Sequence, residues 1–320
     1  MTATVFGSLA EAKGRFGPCA LAIGNFDGVH IGHQSLLSKM AARASKNGLA
    51  PAVLTFDPHP TVVVAPERTP ALICTLEQRL RLLELAGATR ILVLPFTKEV
   101  ARLSPQGFVE QILVDALETK VVFVGENFRF GHKQAGTAMA LRALGEQRGF
   151  ECEFIEPVTW RGQIVSSSCV REYLAAGNVV RAGRLLGRCF AIEGPVVAGH
   201  GVGSRQTVPT LNLRPAAGQL VPRGVYVTET LETGSGSSWP SITNAGVRPT
   251  FGGDDLTVET FLLDSLAGHA PEQIEVRFRR FLRPERQFPT PDALKAQIFK
   301  DVARAHAYWR RLSKLVPSIQ

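Results

Sequence analysis

The decapeptide GNFDGVHIGH occupies residues 24–33 and directly follows the apolar run CALAI at residues 19–23. After it comes the amphipathic pattern HQSLLSKMAARASKNG at residues 33–48. An apolar run, a glycine-containing turn and a helical pattern in succession predict a strand, a tight connection and a helix N-terminus. In an open α/β sheet such a junction favours phosphate, because free backbone N–H groups and the helix dipole point toward it.

His30 and His33 lie at this junction, three residues apart, and share a helix face if the helix has begun there. A metal site is disfavoured, since no third ligand is apparent nearby and the spacing is not i, i+4. Two interpretations stay open from the spacing alone. Either the histidines cap and pack, or their imidazoles donate to phosphate and can become cationic. A P-loop is excluded, because the sequence has no GxxxxGK[ST] segment.

Strand and helix patterns alternate up to about residue 184. Further apolar strand patterns are PAVLTF (51–56), ILVLPF (91–96) and KVVFVG (120–125). Further helical patterns are LEQRLRLLELAG (76–87), SPQGFVEQILVDALE (104–118) and TAMALRALGEQRG (137–149). Thr75 with Gln78 fits a capping box, and Ser104 followed by Pro105 fits a helix start. The alternation predicts an α/β first domain, residues 1–184, with a doubly wound parallel sheet and helices on both faces.

The pattern changes beyond residue 184, where short strand patterns are separated by Gly, Pro and Asn. These segments are FAIEGPVVAG (190–199), GVYVTETLET (224–233), SITNAGV (241–247), TVETFLLD (257–264) and IEVRFRRFL (274–282). Their spacing predicts a small antiparallel β-barrel as a second domain, residues 185–320. A final helix begins near TPDALKAQI, with Thr290 as its cap and Pro291 in its first turn.

Charge and composition narrow the class of protein. The formal net charge of +8 over 320 residues suits anionic partners such as nucleotide phosphates. The one basic cluster, RFRRFLRPER at 277–286, alternates like a solvated strand face, so we expect no nucleic-acid partner. The five cysteines are odd in number and lack CxxC spacing, which disfavours disulfides and structural zinc. No run approaches the roughly 20 apolar residues of a membrane span and no signal peptide is apparent, so we expect a cytoplasmic protein without a membrane partner.

The segment GNFDGVHIGH resembles the HxGH signature of the nucleotidyltransferase superfamily. Its longer form, GxFDGVHxGH, is similar to the prokaryotic bifunctional riboflavin kinase/FAD synthetase family. Other segments resemble that family in the same order: TFDPHP (55–60), GENFRFGHKQAG (125–136), VSSSCVR (165–171), PTLNL (209–213), NAGVRPTFGG (244–253) and VETFLLD (258–264). The resemblance covers nearly the whole chain and implies two reactions. Riboflavin would be phosphorylated by ATP to FMN, and FMN would then be adenylylated by a second ATP to FAD and pyrophosphate.

The resemblance implies site residues in the first domain. His30 and His33 would hold ATP phosphates during adenylyl transfer. The other residues implied at the phosphates are Gly24, Asn25, Phe26, Asp27, Gly28, Ser166, Ser167, Ser168 and Arg171. Asn25 and Asp27 would shape the turn or touch phosphate, and the serines with Arg171 could equally be a helix cap and a surface arginine. The residues implied at the flavin are His59, Asn127, Phe128 and Arg129. His59 could instead stiffen its turn, and of Phe128 and Phe130 one is expected to be core.

The resemblance also implies the site of the second domain. Thr210 and Asn212 would hold Mg²⁺ with ATP, and Glu259 would be the general base that takes the proton of the riboflavin 5′-hydroxyl. No permanently bound prosthetic group is expected. Two departures fall here: GSRQTVPTLN stands where the family has GRxLGFPTAN, and Phe261 stands where His is common.

Two alternatives remain at this stage. One is an adenylyltransferase whose second domain has lost kinase activity and only binds flavin or supports folding. The presence of Thr210, Asn212 and Glu259 argues against it. The other is a regulatory or nucleic-acid-binding module that uses the positive charge, against which the scattered charge and the two phosphate loops argue.

Overall fold

The computed structural model describes residues 2–197, 210–250, 253–266 and 270–315. The chain divides into two compact units, Met1–Ser167 and Ser168–Gln320. Among the described residues, no helix is long and apolar enough to cross a membrane. The segment 204–208, where the sequence departs from the family pattern, lies outside the described residues. The domain boundary near residue 184 stays a prediction.

The first unit is built on a parallel sheet of six strands with the order β1-β4-β3-β2-β5-β8. Its strands are β1 (Thr4–Phe6), β2 (Cys19–Ile23), β3 (Ala50–Asp57), β4 (Arg90–Pro95), β5 (Thr119–Gly125) and β8 (Glu151–Ile155). Two small hairpins accompany it: β6 (Arg129–Phe130) with β7 (Gly136–Thr137), and β9 (Thr159–Trp160) with β10 (Gln163–Ile164). The predicted parallel sheet is confirmed.

Helices connect these strands and begin largely where the sequence predicts. They are α1 (Leu9–Ala12), α2 (Ile31–Asn47), α3 (Pro60–Val64), α4 (Leu76–Leu85), α5 (Lys98–Ala101), α6 (Pro105–Phe108) and α7 (Ala138–Arg148). The capping box of Thr75 and Gln78 is present, and Ser104 caps α6 at the amide of Gly107. The pattern after α6 differs from the expected regular helix, because Val109–Val114 is a π-helical turn.

Two apolar cores cover the two faces of this sheet, as a doubly wound sheet requires. Leu21, Leu54 and Val122 face one core, which also contains Ile112 and Leu141. The alternate residues of the same strands face the other core, where the buried side of α2 packs. Its members include Ala20, Ala22, Val53, Phe123, Leu37 and Met40. Strand residues alternate between the cores because successive side chains point to opposite faces.

The chain reverses its direction across the sheet between β2 and β5. From β2 it continues through α2 to β3 on one side, whereas β5 lies on the other side of β2 and leads through α7 to β8. The loops at the carboxyl ends of β2 and β5 therefore diverge, and the crevice that they leave is where open α/β sheets bind ligands. These loops carry GNFDGVH and GENFRF, the two segments on which the sequence analysis placed nucleotide and flavin.

The second unit contains the predicted antiparallel barrel. Its closed order is β11-β12-β15-β14-β13-β16. The strands are β11 (Phe190–Val197), β12 (Thr210–Leu213), β13 (Gly224–Glu232), β14 (Ser238–Thr250), β15 (Gly253–Leu262) and β16 (Gln273–Arg283). The helices are α8 (Ser167–Ala175), α9 (Val179–Leu186) and α10 (Pro291–Leu315). Thr290 caps α10 at the amide of Ala293, as predicted.

The barrel interior combines apolar side chains with buried hydroxyl groups. Thr228 lies 2.8 Å from Ser241 and 2.7 Å from Thr243 between hydroxyl oxygens. Thr243 lies 2.9 Å from Thr260 in the same way, and all four side chains are fully buried. Since each hydroxyl has a partner, this network avoids the cost of burying unsatisfied polar groups.

Candidate functional site

The loop from Gly24 to His30 joins β2 to the N-terminus of α2 at the sheet's carboxyl edge. Its backbone is unusual, because Phe26 has φ 50°, Gly28 has φ 78° and Val29 has φ 39°. A positive φ is rare for residues other than glycine and is an outlier for a β-branched residue such as Val29. Such a conformation persists only where its surroundings hold it, and it is common at ligand-binding sites.

A buried carboxylate holds this loop from below. Asp27 is 3% exposed, and its carboxylate accepts hydrogen bonds from the amides of Ile73 at 3.0 Å and Cys74 at 3.2 Å. The amide of Gly28 donates in turn to Cys74 Sγ at 3.1 Å. Of the two roles left open for Asp27, shaping the turn fits these contacts better, since a carboxylate repels phosphate.

Two features of position 28 favour glycine, namely its positive φ and the close approach of Ile73. A comparison with Gly48 separates their costs. A Cβ at Gly28 would lie 2.8 Å from Ile73 Cγ2, whereas a Cβ at Gly48, with φ 64°, would meet nothing within 4 Å. We expect Gly48→Ala to lower the free energy of unfolding by about 1–2 kcal/mol through backbone strain alone. Gly28→Ala should lose roughly a further 1–3 kcal/mol through the overlap. Urea titration measures both, and equal losses would mean that Ile73 yields without cost.

The two histidines form a stacked pair at the start of α2. Their ring centroids lie 3.6 Å apart with an interplanar angle of 18°. His30 is the N-cap, and its Nδ1 accepts from the His33 amide at 3.3 Å. A Cβ at Gly32 would lie 3.1 Å from the His30 ring, which gives a physical reason for the glycine between the histidines. The capping interpretation and the phosphate interpretation are thus compatible, because both place His30 at the helix N-terminus.

The charge state of His33 follows from its surroundings. Burial, and then the neighbouring His30, hold the pKa of the His33 imidazole well below its ordinary value of 6.5. Its Nδ1 is buried and has no hydrogen-bond partner among the described residues, although part of the side chain reaches the surface. Of the two charge states open to an imidazole, these surroundings favour the neutral one for His33. A neutral imidazole still has one N–H to donate, and a nearby phosphate would favour its protonated form.

This low pKa makes stability depend on pH with a definite sign. Well above pH 6.5, His33 is neutral in both the folded and the unfolded chain, and its contribution to stability does not depend on pH. Below that pH the unfolded chain takes up a proton that folded His33 does not, so the free energy of unfolding falls as pH falls. Between about pH 6.5 and 5.5 we expect His33→Gln to flatten this fall by up to about 1.4 kcal/mol per pH unit.

Urea titrations at several pH values measure the slope. Equal slopes in wild type and His33→Gln would contradict a depressed pKa at His33.

A second loop is hydrogen-bonded to the first. His59 follows β3 and is the N-cap of α3, and its Nε2 lies 3.0 Å from Asn25 Nδ2. Its Nδ1 lies 2.6 Å from Thr61 Oγ1. The ring therefore bridges the loop after β2 and the turn after β3. This contact is compatible with both roles proposed for His59, since it stiffens the turn and brings an imidazole to the edge of the crevice.

The segment after β5 lies at the same carboxyl edge of the sheet as the loop after β2. Asn127 and Arg129 are exposed, whereas Phe128 is partly buried and Phe130 is buried. The rings of Phe128 and Phe130 are nearly parallel, with interplanar angle 13° and centroids 5.6 Å apart. The expectation that one of the two is core is confirmed for Phe130. Phe128 retains the exposed area that an aromatic needs to meet a flat ligand.

The serine segment lies at the start of α8. Ser167 is the last residue of the first unit, and its Oγ donates to the carbonyl of Asp27 in the loop after β2 at 3.0 Å. Ser166 immediately precedes the helix, and Ser168 and Arg171 lie within it. Of the predicted serines, Ser167 is thus brought to the loop itself.

The predicted residues of the second unit share one face of the barrel. Asn212 on β12 is directly opposite Glu259 on β15, and Thr210 is opposite Phe261. On its other side Glu259 is opposite Asn244 of β14. Directly paired residues point to the same face, with Cβ atoms about 4.5–5.5 Å apart. A carboxylate therefore lies in a row between two amides, and Thr210 is one step along the same face.

The same face of the barrel offers oxygen atoms that can bind a metal ion. Among the described residues no group of three His, Cys, Asp or Glu side chains could hold a metal ion. The hydroxyl of Thr210 and the amide oxygen of Asn212 share the face of Glu259. Mg²⁺ is usually bound by a few protein oxygens together with water and substrate phosphates, and these residues fit that requirement.

Two residues of these sites were missed by the sequence analysis. Arg79 is buried on α4 and donates to the carbonyl of Asn25 at 2.9 Å. The pattern held a signal, because Arg79 falls with Leu76, Leu80 and Leu83 on the apolar stripe of that helix, where an arginine is out of place. Asn244 completes the row beside Glu259, and only the strand pairing reveals it.

The basic segment 277–286 is largely neutralised. Arg277 pairs with Glu275, Arg279 with Glu229, and Arg283 with Asp301 across 2.9 Å. These arginines lie on β16, where the alternating pattern placed a strand. Their pairing agrees with a strand face whose charges are compensated.

Comparison with protein families divides the chain in two. A family model described as FAD synthetase matches residues 13–169. A model described as riboflavin kinase matches residues 186–309.

Curated proteins and solved structures match over nearly the full length. The chain is 36% identical over 292 residues to a bifunctional riboflavin kinase/FMN adenylyltransferase of Escherichia coli (strain K12), covering 91% of this chain and 93% of the relative. It is 37% identical over 290 residues to the protein of the same description from Pseudomonas fluorescens, covering 90% and 92%. A crystal structure titled macrolide-efflux protein, from Streptococcus pneumoniae, matches with a TM-score of 0.84 and 26% identity, covering 96% and 99%.

Proposed function

The chain belongs to the family of bifunctional riboflavin kinase/FMN adenylyltransferases, and from that premise we propose which of its residues carry each reaction. The enzyme makes flavin cofactors in two ATP-dependent steps, riboflavin to FMN and FMN to FAD. We assign adenylylation to the first unit and phosphorylation to the second, following the two family models. The cytoplasmic location stays a prediction.

The junction of β2 and α2, with His30 and His33 stacked at the helix N-terminus, carries the proposal for adenylyl transfer. An oxygen of the FMN phosphate forms a bond to the α-phosphorus of ATP, and the bond from that phosphorus to the β-phosphate oxygen breaks. Charge therefore grows on the leaving pyrophosphate. Imidazole N–H groups and the helix dipole would stabilise that charge. No general base is needed, because a phosphate monoester is already largely ionised at neutral pH.

The remaining residues of the first site would orient the two substrates. Gly24, Phe26 and Gly28 give the loop its path, and Asp27 holds it in place through the amides of Ile73 and Cys74. Ser166, Ser167, Ser168 and Arg171 would supply further hydroxyl and guanidinium donors to the phosphates. His59, Asn127, Phe128 and Arg129 would contact the flavin, with Phe128 offering a face for stacking.

Glu259 would act in the second unit as the general base for riboflavin phosphorylation. Its carboxylate would take the proton of the 5′-hydroxyl while that oxygen attacks the γ-phosphorus of ATP. Thr210 and Asn212 would hold Mg²⁺ with the nucleotide, and a bound Mg²⁺ neutralises charge on the transferred phosphoryl group. The row of Asn212, Glu259 and Asn244 supports this proposal, because it fixes the carboxylate beside the ligand oxygens.

A product assay tests whether the chain carries out both reactions. The purified chain is incubated with ATP and Mg²⁺ and with either riboflavin or FMN, and the flavins are separated. FMN and FAD from riboflavin support the proposal for both units. FAD from added FMN, without FMN from riboflavin, would instead support a second unit that has lost its kinase activity. Neither product would contradict both assignments.

A further inference from the structure

Arg79 is a buried arginine that links two loops of the adenylyl-transfer site. Its Nη1 donates to the carbonyl of Asn25 at 2.9 Å and to the carbonyl of Phe56 at 3.2 Å. It also lies 3.4 Å from Thr55 Oγ1, and Thr55 Oγ1 itself donates to the Asn25 carbonyl at 3.2 Å. Asn25 begins the loop that leads to the histidines, and Phe56 lies at the end of β3, just before the turn of His59. One guanidinium thus fixes the start of one loop relative to the other.

Helix α4 holds Arg79 at a defined position. The capping box between Thr75 and Gln78 fixes where the helix begins, and Gln78 is itself buried. The residues just before the cap, Ile73 and Cys74, donate their amides to Asp27. The helix therefore contacts the loop after β2 at two places, near Asn25 through Arg79 and at Asp27 through its leading backbone.

The loop needs such support because its backbone is strained. Phe26 and Val29 have positive φ values, and both lie between the Asn25 anchor and the histidines. Strained conformations persist only where the surrounding structure over-determines them. If the Asn25 anchor is lost, the strain can relax, and the direction in which His30 and His33 present their rings changes with it.

The burial and charge of Arg79 give a second argument for its role at the loop after β2. The residue is 6% exposed, and the described residues offer it a carboxylate only at Asp57, whose Oδ1 lies 3.5 Å from Nη2 and whose side chain is half exposed. Its Nε is buried without a partner among the described residues. Because a guanidinium stays protonated, Arg79 supplies a fixed positive charge beneath the loop. In a buried setting such a charge is weakly screened and attracts an anion bound above it.

We propose that Arg79 is a positioning residue for adenylyl transfer, which locks the phosphate-binding loop to the end of β3 and adds positive potential beneath the ATP phosphates. The proposal rests on the placement of those phosphates at the loop after β2. Arg79 acts through Asn25 and the loop backbone, without touching the substrate. Two effects follow, geometric alignment and charge, and different substitutions separate them.

The test uses the full chain with three replacements of Arg79. Arg79→Lys keeps the charge but loses the planar fork of donors, Arg79→Gln keeps donors but loses the charge, and Arg79→Met loses both. Arg81→Met is the matched control, since Arg81 is an exposed arginine on the same helix. FAD formation from FMN and riboflavin phosphorylation are measured on each preparation, together with thermal melting.

Each replacement has its own expected signature. Misalignment lowers turnover, and a displacement of about 1 Å can cost on the order of 10²-fold. We expect Arg79→Met to lower kcat of FAD formation by about 10- to 100-fold and to raise KM for ATP. Arg79→Lys should lower kcat less and leave KM for ATP near wild type, whereas Arg79→Gln should raise that KM. Riboflavin phosphorylation and the Arg81→Met control should match wild type.

The outcomes distinguish failure of this proposal from failure of the proposed site. If Arg79→Met does not fold, Arg79→Lys decides, and a folded Lys variant with reduced kcat and unchanged KM for ATP supports the proposal. Folded Lys and Gln variants with wild-type kcat and KM overturn it, as does a change in melting temperature alone. If His33→Ala abolishes FAD formation while the Arg79 variants do not, only the role of Arg79 is wrong. If His33→Ala is also without effect, the phosphates bind elsewhere.

Discussion

Replacing Glu259 by Gln should lower the turnover of riboflavin phosphorylation by about 10²–10⁴-fold, the usual contribution of a general base. The amide keeps the shape of the side chain but has no basic oxygen, so riboflavin binding should be largely kept and the loss should fall on kcat. FAD formation from supplied FMN should be nearly unchanged, because that step uses the other unit and needs no base. Both half-reactions are measured on one preparation.

The barrel offers a matched control for Glu259. Glu275 is another strand glutamate, on β16, and it pairs with Arg277, outside the row that contains Asn212 and Asn244. Glu275→Gln should therefore retain riboflavin phosphorylation. Turnover near wild type in Glu259→Gln would mean that the base is another group or that positioning alone carries the reaction. Loss of both half-reactions would indicate a folding defect instead.

Removing either imidazole at the start of α2 should lower FAD formation by about 10²-fold in turnover, as for the loss of one preorganised donor. His33→Ala deletes a ring that makes no capping bond. For His30 the better replacement is Asn, because His30 caps α2 and Asn is also a good cap. His30→Asn thus removes the imidazole while keeping the helix N-terminus. Riboflavin phosphorylation should persist in both variants.

The exposed His306 provides the comparison for the histidine pair, and His306→Ala should leave both activities at wild type. A His33 variant that melts far below wild type and loses both activities would indicate that the histidine pair contributes to packing instead of phosphate binding. Normal FAD formation in folded His30→Asn and His33→Ala would contradict any role in stabilising the leaving pyrophosphate.

Local features of the fold were predictable because their causes are local. The capping box of Thr75 and Gln78 and the cap at Ser104 depend on residues three positions apart, and both are present. The alternation of strand and helix patterns predicted the parallel sheet, and the short strand patterns separated by Gly, Pro and Asn predicted the barrel. The π-helical turn after α6 was missed, since its sequence has the same apolar spacing as a regular helix.

Features that depend on strand pairing were not predictable from the sequence. VETFLLD suggested Glu259 only through resemblance, and nothing in the sequence sets Asn212 and Asn244 beside it. Those neighbours come from the register of β12 and β14 against β15, which joins residues far apart in the chain. The same holds for Arg79, whose stripe position signalled a buried charge but not its partners.

The charge state of the histidine pair was also beyond the sequence. Spacing suggested that His30 and His33 share a face, and they do. The stacking of their rings and the burial that lowers the pKa of His33 depend on how Phe26 and the loop close over them. A histidine has an ordinary pKa near 6.5, so its charge near neutral pH depends on its surroundings, and the sequence alone could not give the direction of the shift at His33.

The pairing of β2 with β5 ties the first site to the order in which the chain can fold. Cys19 is the register partner of Thr119, 100 positions later. The loop with the histidines is complete after about a tenth of the chain, but the segment that carries Asn127 and Phe128 does not yet exist. Closing so long a segment has an entropic cost that only non-local contacts offset, and such topologies fold slowly. During synthesis, therefore, a chain that stops before β5 contains the whole histidine signature and still has no crevice for a flavin.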